Sequence, residues 1–249
     1  MKLFFFFSLL FVLTYAQPYA SFQEWTDSNC SPYIYSWWIY PADGSCFVVT
    51  GGAAIPQATG CKITSNQTTV TAQEFSSKDC PSLGYSELHQ FPVGTCQGTT
   101  LVSVFEDVPS NSYWINSNFS GINGVWETVL VANYFSTSGC SLGDYQATQI
   151  LGFAECDAGY HYYCQDGEIH TEYCSDSNCE SGCEAYNDPL SKSCTLTSNL
   201  PYTDMWYDFL NLDAGAATAF QATCVDNEGN AINVAGLLVL MMLLLTLYV

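Results

Sequence analysis

Gly139-Cys140-Ser141-Leu142-Gly143 has the Gly-x-Ser-x-Gly form of a nucleophile elbow, the strained strand-to-helix turn on which a hydrolase exposes its serine. Such a serine needs an acid and then a histidine downstream, and His161 and His170 follow it among plentiful acidic residues. A second reading of the same stretch needs no catalysis: Ser141 follows Cys140 as Ser31 follows Cys30, where no glycines flank the serine. The alternating strand and helix pattern of an α/β hydrolase is also missing. His161-x-x-Cys164 with Cys174, Cys179 and Cys183 offers ligand types that suit zinc. Structural zinc sites close with two short Cys or His pairs, however, and cysteines of the secretory route oxidise instead. His89, in Leu88-His89-Gln90-Phe91, stands in an ordinary loop or strand context. No phosphate loop, dinucleotide fingerprint, metalloprotease motif or Asp-x-Asp-x-Asp-Gly calcium loop occurs. These patterns therefore assign no catalytic residue, cofactor or metal ligand. Carboxylates distant in sequence could still meet in an acidic hydrolase cleft.

The elements that must position any site are written in a recurring phrase: an aromatic residue, small polar residues, a cysteine, and a second cysteine about fifteen positions on. It reads Trp25-Thr26-Asp27-Ser28-Asn29-Cys30 to Cys46, Phe75-Ser76-Ser77-Lys78-Asp79-Cys80 to Cys96, Phe135-Ser136-Thr137-Ser138-Gly139-Cys140 to Cys156, and Tyr173-Cys174-Ser175-Asp176-Ser177-Asn178-Cys179 to Cys194. A truncated copy, Phe220-Gln221-Ala222-Thr223-Cys224, comes last. The spacing repeats on a larger scale as well, matching Cys30, Cys46, Cys61, Cys80 and Cys96 with Cys140, Cys156, Cys164, Cys179 and Cys194. Two tandem Cys-rich β units, 17–115 and 116–230, are the expected organisation. All twelve of Cys30, Cys46, Cys61, Cys80, Cys96, Cys140, Cys156, Cys164, Cys174, Cys179, Cys183 and Cys194 are disulfide candidates, with Cys174 and Cys183 a private bridge of the second unit. The thirteenth cysteine, Cys224, pairs backward, stays free, or is lost in processing.

Both chain ends read as processing signals. Lys2 and the apolar run Leu3 to Leu13, closing on Thr14-Tyr15-Ala16, predict a signal peptide over 1–16. The tail, 231–249, is apolar to its last residue with no basic residue after it, which favours a GPI-attachment signal over a retained membrane helix. Past the leader, three lysines (Lys62, Lys78, Lys192) and no arginine face 24 acidic residues. A surface so poor in cations excludes nucleic acid as a partner.

The elements lean strongly to strand. Ser31–Tyr40, Thr100–Phe105 and Val125–Phe135 are rich in aromatic and β-branched residues and bounded by turn formers such as Pro41-Ala42-Asp43-Gly44, Gly51-Gly52 and Asp166-Gly167. Thr203–Leu210 is the one helical candidate, capped by Thr203. The fold class expected is mainly β and disulfide-rich, with few short helices. Each phrase would open a β unit, its aromatic ring packing over the disulfide. In Trp37-Trp38, neighbours on one strand face opposite sides, so one of the two is expected to be exposed as a contact residue. Sequons at Asn66 and Asn118, with a poorer one at Asn29, mark surface glycosylation candidates.

With Trp25-Thr26-Asp27-Ser28-Asn29-Cys30, Phe75-Ser76-Ser77-Lys78-Asp79-Cys80 and Cys174-Ser175-Asp176-Ser177-Asn178-Cys179 side by side, the chain resembles small cysteine-rich secreted or cell-surface proteins of amoeboid protists. The resemblance implies a location and a style of fold and carries over no functional residue. The expectation is a glycoprotein on the outer face of the plasma membrane, reached by the secretory pathway and held by its tail or a lipid anchor. Its role would be structural, adhesive or recognition, with other surface proteins or glycans as partners. The competing class is a secretory hydrolase with an acidic site.

Overall fold

A computed structural model describes residues 18–30, 34–48, 60–82, 84–106, 128–154, 156–190, 192–200, 210 and 217–226. The expected leader, tail, Thr203 cap and Asn118 sequon lie outside them. Sixteen strands run in chain order: β1 (Tyr19–Trp25), β2 (Ile34–Pro41), β3 (Asp43–Phe47), β4 (Gly60–Ser65), β5 (Thr69–Phe75), β6 (Glu87–Pro92), β7 (Cys96–Gln97), β8 (Thr100–Phe105), β9 (Thr128–Phe135), β10 (Tyr145–Phe153), β11 (Cys156–Asp157), β12 (Tyr160–Gln165), β13 (Glu168–Tyr173), β14 (Glu184–Ala185), β15 (Thr195–Leu196) and β16 (Ala219–Asp226). Among the described residues the only helix is two single 3-10 turns, Leu142–Asp144 and Thr197–Asn199. No described helix is long and apolar enough to cross a membrane. The protein is mainly β and disulfide-rich, as its composition predicts.

One eight-stranded antiparallel sheet has the order β15-β16-β9-β10-β2-β1-β8-β7, and two four-stranded sheets have the orders β3-β4-β5-β6 and β11-β12-β13-β14. Exchanging β1 to β8 for β9 to β16 turns the large sheet into itself read backwards and each small sheet into the other. The large sheet is joined at its centre by Thr148 opposite Ile39, Gln149 opposite Trp38 and Ile150 opposite Trp37. Both chain halves therefore share one sheet, and the axis of exchange passes through the Trp38 and Gln149 pair.

One face of this sheet packs on the small sheets through Phe22, Trp38, Tyr40, Tyr134 and Phe220, against Phe47, Ile63, Tyr162 and Ile169. Trp38 stacks on Tyr40 at 6.0 Å and on Tyr134 at 5.8 Å between ring centroids. The other face carries its own buried cluster of Tyr19, Ile34, Trp37, Ile39, Val129, Val131, Phe135, Tyr145 and Ile150. The expectation of one exposed tryptophan is thereby overturned: Trp37 and Trp38 are 1% and 3% exposed. They do face opposite sides, but β2 is a central strand with both faces covered. Trp37 satisfies its indole by donating to Ser21 Oγ at 2.7 Å.

The cysteine phrase ends a strand instead of opening one. Trp25, Phe75, Phe135 and Tyr173 are the last residues of β1, β5, β9 and β13. A tight turn follows, in which a short polar side chain accepts an N–H two residues ahead: Asp27 from Asn29, Ser77 from Asp79, and Asp176 from Asn178, at 3.0, 3.4 and 3.0 Å. Asx and Ser turns of this kind offer the backbone an alternative to the ladder, which is why strands stop here. The closing cysteine then adopts a left-handed backbone in all four copies, with φ of 52°, 41°, 46° and 57° at Cys30, Cys80, Cys140 and Cys179. That conformation is uncommon outside glycine and marks a position the surrounding structure over-determines.

Each of these cysteines is bonded across a nested pair: Cys30–Cys96 encloses Cys46–Cys80, and Cys140–Cys194 encloses Cys156–Cys179. The carbonyl two residues before it touches the partner sulfur every time, Ser28 on Cys96, Lys78 on Cys46, Ser138 on Cys194 and Ser177 on Cys156, at 3.0 to 3.3 Å. Cys174–Cys183 is the private bridge expected of the second unit. One cysteine expectation is corrected, and one left open is settled. Cys61, a disulfide candidate, is a free thiol at 0% exposure, held on β4 in the core with every other cysteine already paired. Cys224 pairs backward with Cys164, because its short phrase lies within β16 and forms no turn.

Candidate functional site

The fourth phrase differs from the others by one residue, and the difference builds an exposed aromatic surface. In the second and third phrases the ring stands five positions before the cysteine and is buried, Phe75 at 4% and Phe135 at 3%. In the fourth the spacing is six, and strand period two turns the ring to the other face. Cys174 takes the buried place at 2% exposure, and Tyr173 emerges at 50%. The expectation that every such ring packs in the core is corrected here.

Tyr173 meets Tyr160 of β12 edge to face at 5.2 Å, and Tyr160 meets Tyr186 at 5.2 Å in the same manner. Tyr173 and Tyr186 lie 6.4 Å apart. Tyr186, 49% exposed, follows the edge strand β14 and donates its backbone N–H to Thr171 at 2.9 Å. A hydrogen bond with Tyr186 pushes the Tyr160 phenol above its ordinary value, helped by the phenols of Tyr186 and Tyr173 crowded around it. Tyr173, Ser175, Gly182, Glu184, Ala185 and Tyr186 line an open pocket of about 320 Å³.

The wall of that pocket is braced by its own short bridge, Cys174 to Cys183. Gly182 has φ +61°, and a Cβ there would fall 2.5 Å from Ser175 Oγ, so only glycine fits. Ser175 Oγ donates to the Ser181 carbonyl at 3.0 Å. Asp176 accepts from Ser181 Oγ and from the N–H groups of Asn178 and Glu180, each of the latter at 3.0 Å. Those bonds, led by the Ser181 hydroxyl, hold its carboxyl below the usual aspartate value. The pocket loop is thus rigid by covalent and hydrogen-bonded means, which is what a preorganised binding site requires.

None of the residues that sequence patterns offer for catalysis or metal binding lines this pocket, although Cys174 and Cys183 brace its wall. Ser141 is exposed beyond Cys140 and donates to Asp144 Oδ2 at 2.6 Å, as Thr137 does at 2.7 Å. These hydroxyls, Ser141 first, hold the Asp144 carboxyl below its usual value. The serine follows a disulfide turn, and no strand-to-helix elbow is present around it. His161 lies on β12 with Nδ1 3.3 Å from Glu172 Oε2, and His170 on β13 stacks on Tyr163 at 5.1 Å. Cys164, Cys174, Cys179 and Cys183, weighed with His161 as zinc ligands, are all consumed in disulfides, as expected of cysteines on the secretory route. Asn66 is exposed at the β4–β5 hairpin tip, where its Oδ1 accepts from Thr69 N at 2.9 Å and Thr68 Oγ1 at 3.1 Å. Tyr186 and Glu184 belong to no sequence motif, and Tyr173 enters the sequence reading only as a core ring. The signal for Tyr173 was present in the six-residue spacing, whereas Tyr186 joins it only through the β13–β14 pairing.

No family model matches the chain, and no curated protein or solved structure matches it either.

Proposed function

We propose that this is an extracellular recognition protein: a disulfide-clamped, N-glycosylated β ectodomain, tethered through its apolar tail, that binds a saccharide against Tyr173 and Tyr186. The observation that carries the reading is a pair of half-exposed tyrosines in a pocket braced by its own disulfide. Six disulfides fit an oxidising, extracellular or secreted setting. Exposed aromatic rings with one carboxylate beside them suit a sugar, whose apolar face stacks on the ring while its hydroxyls meet Glu184 and Ser175. A cation held between the rings suits this site less well, because tyrosines in T-shaped contact at 5.2 Å leave no gap for one. Asn66, exposed in a turn, is the described sequon that would carry a glycan.

The chain is further read as one eight-strand unit used twice. Strand order, nested disulfides and the four phrase turns all coincide under the exchange of halves. The two small sheets differ in chemistry at one corresponding cluster. By strand register, Tyr160, Tyr173, Glu184 and Tyr186 of the second unit stand where Cys61, Glu74, Glu87 and His89 stand in the first.

The binding claim is tested by titrating the purified protein with neutral oligosaccharides by calorimetry, after a glycan-array survey. Tyr173→Ala and Tyr186→Ala are each expected to weaken binding about tenfold, a loss of about 1.4 kcal/mol. Both rings are surface-exposed, so far-UV spectra stay unchanged. An array on which the wild-type protein binds no glycan better than the double variant does would sink the proposal.

A further inference from the structure

We propose that Glu74, Glu87 and His89 form a binding site for one divalent transition-metal ion of the zinc class, at the outer edge of the first small sheet. β5 pairs with β6 so that Glu74 stands opposite Glu87 and Ala72 opposite His89, which puts the three ligands on one face of two adjacent strands. His89 Nε2 lies 3.0 Å from Glu74 Oε1 and 3.9 Å from Glu87 Oε1. Ligand atoms at zinc distances of about 2.0 to 2.1 Å in a tetrahedron stand about 3.3 Å from one another, and these separations bracket that edge.

A second observation is independent of the spacing. Glu74 is a buried carboxylate, its side chain 7% exposed, on the floor of the group. Neither its Oε1 nor His89 Nε2 makes a hydrogen bond, although both are out of contact with solvent. A buried, unsatisfied carboxylate oxygen is costly, and a cation is the partner that would remove the cost. Burial pushes the Glu74 carboxyl above its ordinary value, and the neighbouring imidazole offsets this only in part.

The donor set selects the ion. One imidazole and two carboxylates bring two negative charges, which a divalent cation neutralises. Calcium and magnesium prefer six or more oxygen ligands, so an imidazole disfavours them. Glu87, 61% exposed, leaves an entry path and an open coordination position for water or a ligand carboxylate. The cross-strand neighbour of Glu74, Cys61, does not belong to the group: its thiol is pushed up to about 12 by burial, then by the Glu74 charge.

The test uses the full chain after chelator treatment, titrated with Zn2+ by calorimetry and with Co2+ by visible absorption. One equivalent is expected to bind, with the intense cobalt bands of a four-coordinate site and no competition from excess Ca2+ or Mg2+. Glu74→Gln and His89→Gln should each lower affinity at least about tenfold, and so should Glu87→Gln, an exposed change that leaves folding untouched. A double His161→Gln/His170→Gln variant should bind as the wild type does. Absence of saturable binding, or full affinity retained by Glu87→Gln or His89→Gln, overturns the assignment.

Discussion

Trp38→Ala is expected to destabilise the protein by about 3 to 5 kcal/mol, the cost of emptying a large aromatic site in a core that cannot collapse around it. Trp38 is 3% exposed at the centre of the large sheet, opposite Gln149, and stacks on Tyr40 from its own half and on Tyr134 from the other. Its neighbours are themselves anchored, since the single proton of the Tyr134 hydroxyl is shared between Gln149 Oε1 at 2.6 Å and the Leu210 carbonyl at 2.9 Å. Relaxation into the cavity would strain those bonds. A loss of this size is a large share of the 5 to 15 kcal/mol that holds an ordinary domain together. Guanidinium unfolding followed by far-UV circular dichroism should show the midpoint fall sharply, whereas a Trp38→Phe variant should lose much less. A midpoint unchanged in Trp38→Ala would mean that the two halves do not meet through this ring.

The second large effect is expected on opening Cys164–Cys224. This bridge fastens the second small sheet, through β12, to β16 of the large sheet, across a sequence separation of 60. Loop-closure entropy for such a span is about 4 kcal/mol. Strand register puts Ser65 and Val104 of the first half at the corresponding places, so that half carries no equivalent bridge. Cys164→Ser/Cys224→Ser should therefore loosen β11 to β14 selectively. Limited proteolysis should cut within 156–190 in the variant under conditions that leave the wild type whole, and the thermal midpoint should fall with it. Equal resistance of the two proteins would show that packing alone holds the small sheet.

The strands were largely legible, because their residues meet local demands that any fold would impose. Thr100–Phe105 is β8 as the β-branched run predicts, and Asp166-Gly167 is the tight hairpin turn that its left-handed φ values of 54° and 79° require. What could not be read was non-local. Matching cysteines by their order equated Cys61 with Cys164, whereas strand register places Cys61 opposite Glu74 as Tyr160 stands opposite Tyr173. The two tryptophans obeyed the alternation rule, but the rule says only that neighbours face opposite ways and not which faces are covered. That depended on β2 becoming a central strand by pairing with β10 of the other half. The tyrosine-lined pocket was half legible: the extra residue in the fourth phrase flips Tyr173 outward, yet its partners Tyr160 and Tyr186 arrive by pairing across β12 to β14. His89 sits in a plain strand and gains meaning only from the buried Glu74 beside it.

A disulfide-clamped unit built twice would keep its phrase cysteines in nested pairs, each closed within its own half. Peptide mapping of the unreduced protein by mass spectrometry, with alkylation before and after unfolding, tests it directly. The bridges expected are Cys30–Cys96, Cys46–Cys80, Cys140–Cys194, Cys156–Cys179, Cys164–Cys224 and Cys174–Cys183, with Cys61 the sole thiol and alkylated only once the chain is unfolded. A bridge joining the first eight strands to the last eight, or Cys61 recovered in a disulfide, would contradict it.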